Sequence, residues 1–199
     1  LASEAMFPPE VLALPKTAAG AYPDPDELFA AAAQRNIEFN NIMDHGQGID
    51  KAVGGKSMLP DDFDAALDQP GAVVVIGNIK GRPRATEKVN ADYGGDWTKL
   101  HDMVRSAVAV DTIAEIPKAI AAIREHFAAK GWTMAKAPKN RFLNPTLEGY
   151  ADIMLNVRSP DGVIGEVQVH LKPMLRSKKA AHHLYEQERT IGAKAKTEG

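Results

Sequence analysis

The sequence of 199 residues contains no cysteine. This absence excludes a disulfide scaffold, a thiolate metal site and a cysteine nucleophile. The chain also lacks any apolar run near the ~20 residues that a membrane-spanning helix needs, so we expect no membrane partner. It begins at Leu1, and no charged segment followed by an apolar one marks a signal peptide. We therefore expect the chain to be a piece of a longer protein.

An excess of charge of one sign is missing as well, because 24 basic and 26 acidic residues leave a net charge of −2. This near-neutral total argues against a protein that binds nucleic acid through bulk positive charge. The total hides a split, since residues 1–70 carry −8 and residues 71–199 carry +6. A basic region of this size is typical of surfaces that face phosphates, and a solvated surface without a partner is the alternative.

What the sequence does contain is an alternation of helical and extended patterns. Apolar runs and alternating apolar residues predict strands at 72–79, 103–110, 132–136, 151–158 and 163–171. Turn residues at 159–162 predict a hairpin between the last two strands. Helical spacing predicts helices at about 24–43, 84–93, 113–130 and 173–191, with a short one after Pro60. The Gly-rich stretch 44–58 predicts an irregular loop.

This order of elements predicts a single domain of the α+β class, mixed α/β in type. We expect a central mixed sheet of about five strands flanked by helices. Residues 1–71 are expected to form an acidic segment of helix and loop, packed as a cover or linker on the domain formed by residues 72–199.

A cluster of cations directly follows the first predicted strand. Lys80, Arg82, Arg84 and Lys88 occur within nine residues, and Pro83 favours a helix start at this point. Arg84 and Lys88 would then lie one turn apart on one face, near a helix N-terminus that favours anions. The segment predicts a triphosphate-binding site, and a solvated basic turn is an equal alternative.

Two carboxylates lie on or beside predicted strands. Glu166, Gln168 and His170 share one face of a strand whose other face carries valines. Such a polar face indicates either a sheet open to water or the floor of a cleft. Asp102 lies where another strand begins, followed by Arg105. Carboxylates from neighbouring strands can hold one Mg²⁺, whereas each taken singly is an ordinary surface acid.

These segments together resemble the RelA/SpoT-type nucleotidyltransferase domain, which is the alarmone synthetase fold. The resemblance covers about residues 72–191, and its parts occur in the family's order. They are the basic segment 80–88, Leu100–Arg105, Asn140–Phe142 with Glu148–Tyr150, Gly165–His170 and His182–Tyr185. The resemblance implies a nucleotidyltransferase-like domain at residues 72–199.

The resemblance also implies the reaction, which is transfer of the β,γ-pyrophosphate of ATP to the 3′-hydroxyl of a second nucleotide. The side chains on the ATP side would be cations, namely Lys80, Arg82, Arg84, Lys88 and Arg105. Asp102 and Glu166 would be the catalytic pair that holds Mg²⁺, with Glu166 holding the metal or serving as general base. The acceptor base would stack on Tyr150. The other residues on the acceptor side would be Gln168, His170, His182 and Tyr185.

Departures from the family pattern indicate its toxic branch. Arg105 stands where the pattern Asp-x-x-Gly-x-Arg has glycine, and His170 stands where an arginine is usual. This branch includes interbacterial effectors, delivered by type VI secretion, that make (p)ppApp. The resemblance thus implies an antibacterial toxin that depletes ATP and uses an adenosine nucleotide (ADP, ATP or AMP) as acceptor. It further implies action in the recipient-cell cytoplasm and a cognate immunity protein.

Three alternatives stay open from the sequence. The first is a cytoplasmic (p)ppGpp synthetase that uses GDP or GTP. The second is an enzyme of the same fold that pyrophosphorylates the 3′ end of tRNA, with which the +6 of residues 71–199 is compatible. The third is a degenerate domain that only senses a nucleotide or binds a partner, against which Asp102, Tyr150 and Glu166 argue.

Overall fold

A mixed β-sheet of seven strands runs through the computed structural model, which describes residues 1–44 and 48–197, without the side chains of residues 185, 189 and 194–197. The strands are β1 (Lys56–Met58), β2 (Val73–Val75), β3 (Val104–Val110), β4 (Thr133–Met134), β5 (Lys139–Asn140), β6 (Asp152–Arg158) and β7 (Ile164–Leu171). Their order is β1-β2-β3-β7-β6-β4, and β5 also pairs with β6. The pairs β1–β2 and β3–β7 are parallel, and the other pairs are antiparallel.

Helices cover the sheet. The α-helices of the described residues are α1 (Pro9–Leu12), α2 (Pro25–Met43), α3 (Ile49–Ala52), α4 (Pro60–Ala66), α5 (Arg82–Asp92), α6 (Ile116–Ala129) and α7 (Lys172–Thr197). Side-chain hydrogen bonds cap the N-termini of α2 and α6, which pack on the sheet. The side chain of Asp24 accepts from the Glu27 backbone N–H at 3.0 Å before α2, and Thr112 and Glu115 form a capping box before α6.

The three long strands confirm the sequence pattern. β3, β6 and β7 lie within the predicted ranges, and the predicted turn joins β6 to β7. The predicted α+β fold is therefore confirmed, with seven strands in the described residues where about five were expected. The additional strands β1 and β5 are only three and two residues long. They become strands because they pair with β2 and β6, and so their own sequences carry little signal.

The boundaries that differ most from the prediction are the ends of β2 and α7, while α3 and β1 lie in the stretch 44–58 that was predicted to be an irregular loop. β2 ends at Val75 and not at residue 79, because the chain leaves the sheet and the Gly77 carbonyl accepts from Asn36 and Asn40 of α2 at 3.0 and 2.9 Å. At the other end of the chain, α7 continues past residue 191 to Thr197. Its last turns are rich in alanine and lysine, which are strong helix formers.

The apolar core lies between one face of the sheet and the helices α2 and α6. An aromatic cluster of Phe39, Phe127 and Trp132 has ring centroids 5.1 to 5.7 Å apart. Gly165 of β7 allows this packing, because a Cβ at that position would stand 2.9 Å from the Phe39 ring. The opposite face of the sheet is thereby left for polar side chains.

The core contains side chains from both parts of the chain that the charge pattern separates. Leu28, Phe39 and Met43 of the acidic part are buried together with Val108 and Val167 of the basic part. The division at residue 71 stays a prediction. No helix in the described part of the chain combines the length and apolar character that crossing a membrane requires.

Candidate active site

The polar face of the sheet carries the predicted strand residues. Glu166 of β7 is registered with Arg105 of β3 on one side and with Asn156 of β6 on the other. Registered partners point to the same face, so Glu166, Gln168 and His170 form a polar row opposite the apolar core. The alternating pattern predicts this arrangement, and the structure shows that the row is flanked by strands on both sides.

Asp102 is clamped by two lysines at the entry of β3. The Nζ atoms of Lys80 and Lys88 each lie 3.0 Å from its Oδ2. Burial alone would raise the pKa of Asp102, but hydrogen bonds and charge from both lysines hold it below its ordinary value. Its Oδ1 is buried and has no hydrogen-bond partner among the described residues. The carboxylate is therefore kept ionised, with one oxygen left for a ligand.

Glu166 faces the same cavity, but its pKa is shifted in the opposite direction. Burial, and then the negative charge of Asp102, raises the pKa of Glu166 above its ordinary value. Both carboxylates line a cavity of about 660 Å³ together with Lys88. One carboxylate that stays ionised beside another that holds its proton more tightly is an arrangement typical of catalytic sites.

Three further lysines line this cavity and were missed in the sequence. They are Lys99, Lys136 and Lys139. Burial lowers the pKa of Lys136. The sequence signal for them was weak, since Lys136 stands alone in the short loop between β4 and β5 and Lys139 is the first residue of the two-residue strand β5. With Lys88 they make a strongly cationic wall, which suits a polyphosphate.

The predicted phosphate-binding cations separate into two groups. Lys80 and Lys88 meet at Asp102, whereas Arg82 bonds Asp26 at 2.6 Å and lies over the Phe29 ring of α2. Arg84 is exposed on α5, and Arg105 is exposed on β3. Neither of these arginines, nor Arg82, is among the residues that line the cavity.

The predicted acceptor side is built around Tyr150, which is buried. Its hydroxyl lies 3.4 Å from Oδ2 of Asp152 and contacts Nδ1 of His170. The Nζ of Lys178, from α7, lies 4.2 Å from the centre of the Tyr150 ring. A base that stacks on this face of Tyr150 therefore has to displace Lys178.

Of the two acceptor-side residues predicted on α7, only His182 has a described side chain, and it does not line the cavity. His182 is largely exposed and pairs with Glu186 at 3.2 Å along the helix. The side chain of Tyr185 lies outside the described part of the chain. The structure thus brings Asp102, Glu166 and Gln168 to one face and leaves His182 on the surface.

The two carboxylates fit a magnesium site. The free Oδ1 of Asp102 and the carboxylate of Glu166 offer oxygen ligands beside a cationic wall. In the part of the chain that the structure describes, no cluster of three or more His, Cys, Asp or Glu is placed to hold a metal alone. This donor set suits Mg²⁺, which is usually held by one or two carboxylates and completed by substrate phosphates.

Comparison with known proteins finds similar sequences and structures. No protein-family model matches the chain. Over 130 residues, which are 65% of the chain, it is 27% identical to the (p)ppApp synthetase toxin Tas1 of Pseudomonas aeruginosa (strain UCBPP-PA14). The chain resembles an alarmone synthetase of the toxin type. The predicted family resemblance is thereby confirmed, although the chain spans only 28% of the length of this curated relative.

Solved structures of alarmone synthetases are also similar to the chain. The type VI effector Tas1, solved with its immunity protein, has 22% identity and a TM-score of 0.47 over 73% of this chain and 60% of the effector. Small alarmone synthetase 2 of Bacillus subtilis has 16% identity and a TM-score of 0.49 over 83% and 81%. Small alarmone synthetase 1 of the same organism, bound to its product pppGpp, has 13% identity and a TM-score of 0.46 over 81% and 78%.

Proposed function

We propose that this chain is an ATP-dependent pyrophosphokinase that makes (p)ppApp from an adenosine nucleotide. One observation carries the proposal: Asp102, kept ionised by Lys80 and Lys88, shares a lysine-lined cavity with Glu166, whose pKa is raised. The sequence similarity to a (p)ppApp synthetase toxin supports this reaction and supports adenosine over guanosine as the acceptor.

In the proposed reaction, the acceptor 3′-oxygen forms a bond to the β-phosphorus of ATP. The bond from that phosphorus to the bridging α–β oxygen breaks, and AMP leaves with the bridging oxygen. Glu166 accepts the proton of the 3′-hydroxyl, and its raised pKa makes it a stronger base than an exposed glutamate.

In this proposal, the positive charge of the lysines that line the cavity holds the triphosphate of ATP. The positive side chains of Lys88, Lys99, Lys136 and Lys139 offset the charge of the triphosphate and stabilise the additional charge of the transferred group. Mg²⁺, held by Asp102 and Glu166, would supply further charge neutralisation at the phosphates. This distribution explains why a catalytic carboxylate can lie in a region that binds an anion.

The direct test separates nucleotides after incubation of the protein with ATP and Mg²⁺ and a second nucleotide. AMP and a 3′-diphosphorylated adenosine nucleotide should accumulate when ADP, ATP or AMP is the acceptor. Glu166→Gln should abolish both products, and Glu125→Gln, an exposed glutamate on α6, should keep them. The proposal fails if no nucleotide acceptor gives AMP. Consumption of only GDP or GTP would identify a (p)ppGpp synthetase, and transfer of label to tRNA alone would identify a tRNA-modifying enzyme.

We further propose that the enzyme is an antibacterial effector that acts in the cytoplasm of a recipient cell and is neutralised by a cognate immunity protein. The relative Tas1 is a toxin whose solved structure is a complex with its immunity protein, and this supports the proposal. Expression of the chain in a bacterial host should lower cellular ATP and stop growth, whereas Glu166→Gln should do neither. Growth arrest that persists with Glu166→Gln would contradict this mechanism of toxicity.

A further inference from the structure

Four polar side chains form a continuous hydrogen-bond chain across the acceptor side of the sheet. The Tyr150 hydroxyl contacts Nδ1 of His170, and Nε2 of His170 lies 3.1 Å from Oε1 of Gln168. Nε2 of Gln168 then donates to Oε1 of Glu166 at 2.9 Å. This hydrogen-bond chain therefore joins Tyr150, on which the acceptor base is expected to stack, to Glu166, which is expected to meet the reacting hydroxyl.

The direction of each hydrogen bond follows from the Glu166 carboxylate at one end of the series. An ionised carboxylate only accepts, so Gln168 directs its amide nitrogen to Glu166 and its Oε1 to His170. Nε2 of His170 consequently carries the proton, and Nδ1 of a neutral ring is left to accept. The Tyr150 hydroxyl has a single proton, and Nδ1 of His170 is closer to it than Oδ2 of Asp152 at 3.4 Å, so we assign that proton to the bond with His170. Burial raises the pKa of Tyr150, so that its hydroxyl keeps the proton that it donates.

The surroundings of His170 favour the neutral ring that this pattern needs. Burial first, and then the positive charges of Lys178 and Arg141, lower the pKa of His170 to about 4. Asp152 of β6 lies 3.9 Å from Nδ1, but Arg141 pairs with that carboxylate at 3.2 Å. His170 itself is only 7% exposed. Both ring nitrogens are engaged, and so neither is free to contact a nucleotide.

We propose that His170 is a positioning residue that uses its two ring nitrogens to hold Tyr150 and Glu166 in one fixed arrangement. The inference rests on the proposed function, in which the base of the acceptor lies on Tyr150 and its 3′-hydroxyl meets Glu166. Since both contacts are made with one nucleotide, the hydrogen-bond chain sets the separation between them. The neutral tautomer with the proton on Nε2 is the form that makes both bonds.

Two substitutions separate the two halves of this role. In His170→Asn, the side-chain oxygen takes the place of Nδ1 and still accepts from Tyr150, but the bond to Gln168 is lost. In His170→Gln, the amide nitrogen takes the place of Nε2 and still donates to Gln168, but the bond to Tyr150 is lost. The two variants therefore break opposite ends of the chain while keeping a polar side chain at the same position.

The expected kinetic results are opposite. His170→Asn should lower kcat by about tenfold and leave the acceptor KM near its wild-type value, because the carboxylate of Glu166 is no longer fixed. His170→Gln should raise the acceptor KM by about fivefold to tenfold and largely keep kcat. Tyr150→Phe should reproduce His170→Gln, and adding it to His170→Gln should cause no further loss.

A matched control uses His126, which lies on α6 and does not line the cavity. Its Nδ1 lies 2.8 Å from the Ala122 carbonyl oxygen. His126→Asn and His126→Gln should leave both kinetic parameters unchanged. The inference is overturned if the two His170 variants change kcat and KM in the same proportion, since a residue that only fills the core would act in this way.

A spectroscopic readout does not depend on turnover. The ¹⁵N chemical shifts of His170 at neutral pH should show a neutral ring with the proton on Nε2, and Tyr150→Phe should shift the Nδ1 resonance. A proton on Nδ1, or a charged ring, would overturn the inference. A wild-type protein that forms no AMP would instead overturn the proposed function, and in that case the spectrum alone decides the hydrogen-bond chain.

Discussion

At the scale of single residues, the candidate site places two carboxylates in opposite surroundings. Two lysines hold the pKa of Asp102 low, whereas burial and the charge of Asp102 raise the pKa of Glu166. A metal ligand benefits from a permanent charge, and a general base benefits from a pKa closer to the working pH. The surroundings, and not the residue types, therefore suit the two acids to the different roles that we propose for them.

Replacing Glu166 should separate activity from stability. Glu166→Gln is expected to lower pyrophosphate transfer by about 10²- to 10⁴-fold, which is the usual contribution of a general base. Because its folded pKa is raised, ionised Glu166 destabilises the folded state at neutral pH, and this cost disappears as pH falls below the ordinary pKa. The Tm of Glu166→Gln at pH 7, measured with a chelator present, should therefore exceed that of the wild type. An unchanged or lower Tm would contradict the burial argument, and Glu125→Gln is the control.

Asp102 should show the opposite pH dependence. Its folded pKa is lowered, so ionised Asp102 stabilises the fold above its ordinary pKa, and that contribution is lost as pH falls through the lowered value. Asp102→Asn should therefore lower Tm at pH 7, and the difference from wild type should shrink below about pH 4. Thermal unfolding across this range checks the prediction. A difference that is independent of pH would show that the lysine clamp does not stabilise the fold through charge.

At the scale of elements, the site depends on how closely β7 approaches α2. Gly165 immediately precedes Glu166, and a Cβ there would stand 2.9 Å from the Phe39 ring and 3.2 Å from the Val104 carbonyl. Phe39 belongs to the aromatic cluster of the core. The packing of the apolar face therefore fixes the position of the carboxylate on the opposite face.

A methyl group at this position should disturb both faces of the sheet. Gly165→Ala is expected to cost about 1–3 kcal/mol in the free energy of unfolding, because the core is overpacked, and to lower activity through displacement of Glu166. Urea unfolding and the nucleotide assay measure the two effects. Gly192→Ala in α7, where an added Cβ meets nothing within 4 Å, is the matched control and should not destabilise the protein. Wild-type stability in Gly165→Ala would show that Phe39 can move aside.

At the scale of the whole molecule, the net charge of −2 is the sum of −8 in residues 1–70 and +6 in residues 71–199. The four lysines that line the cavity all belong to the second part. The acidic part contributes core side chains and also one wall of the cavity, at Thr17–Ala19. The near-neutral total therefore does not describe the charge of the surface that lines this cavity.

Ionic strength should act on substrate binding through this local charge. Raising the salt concentration is expected to raise the KM for ATP, because counterions screen the attraction between the lysines and the triphosphate. Lys136→Ala should weaken the salt dependence, whereas Lys130→Ala, an exposed residue in the groove between α2 and α6, should keep it. Steady-state kinetics over a salt series provide the measurement. An equal salt dependence in all three proteins would place the ATP contacts elsewhere.

Much of the fold could be predicted because its signals are local. The alternation in β7 puts Glu166, Gln168 and His170 on one face whatever the partners are, and the capping residues of α2 and α6 mark their own helices. The short strands β1 and β5 could not be predicted, because only pairing with a neighbour defines them.

The sequence by itself determined the long strands, the polar row on β7 and the cationic segment before β3, since each depends on neighbouring residues and on the period of the backbone. Only the tertiary structure decided that Lys80 and Lys88 reach Asp102 while Arg82 turns to α2, and that Lys178 covers Tyr150. These contacts join residues far apart in the chain, and sheet order and core packing set which of them meet. Local sequence patterns therefore determine which side chains the candidate site contains, and the fold determines which of them come into contact.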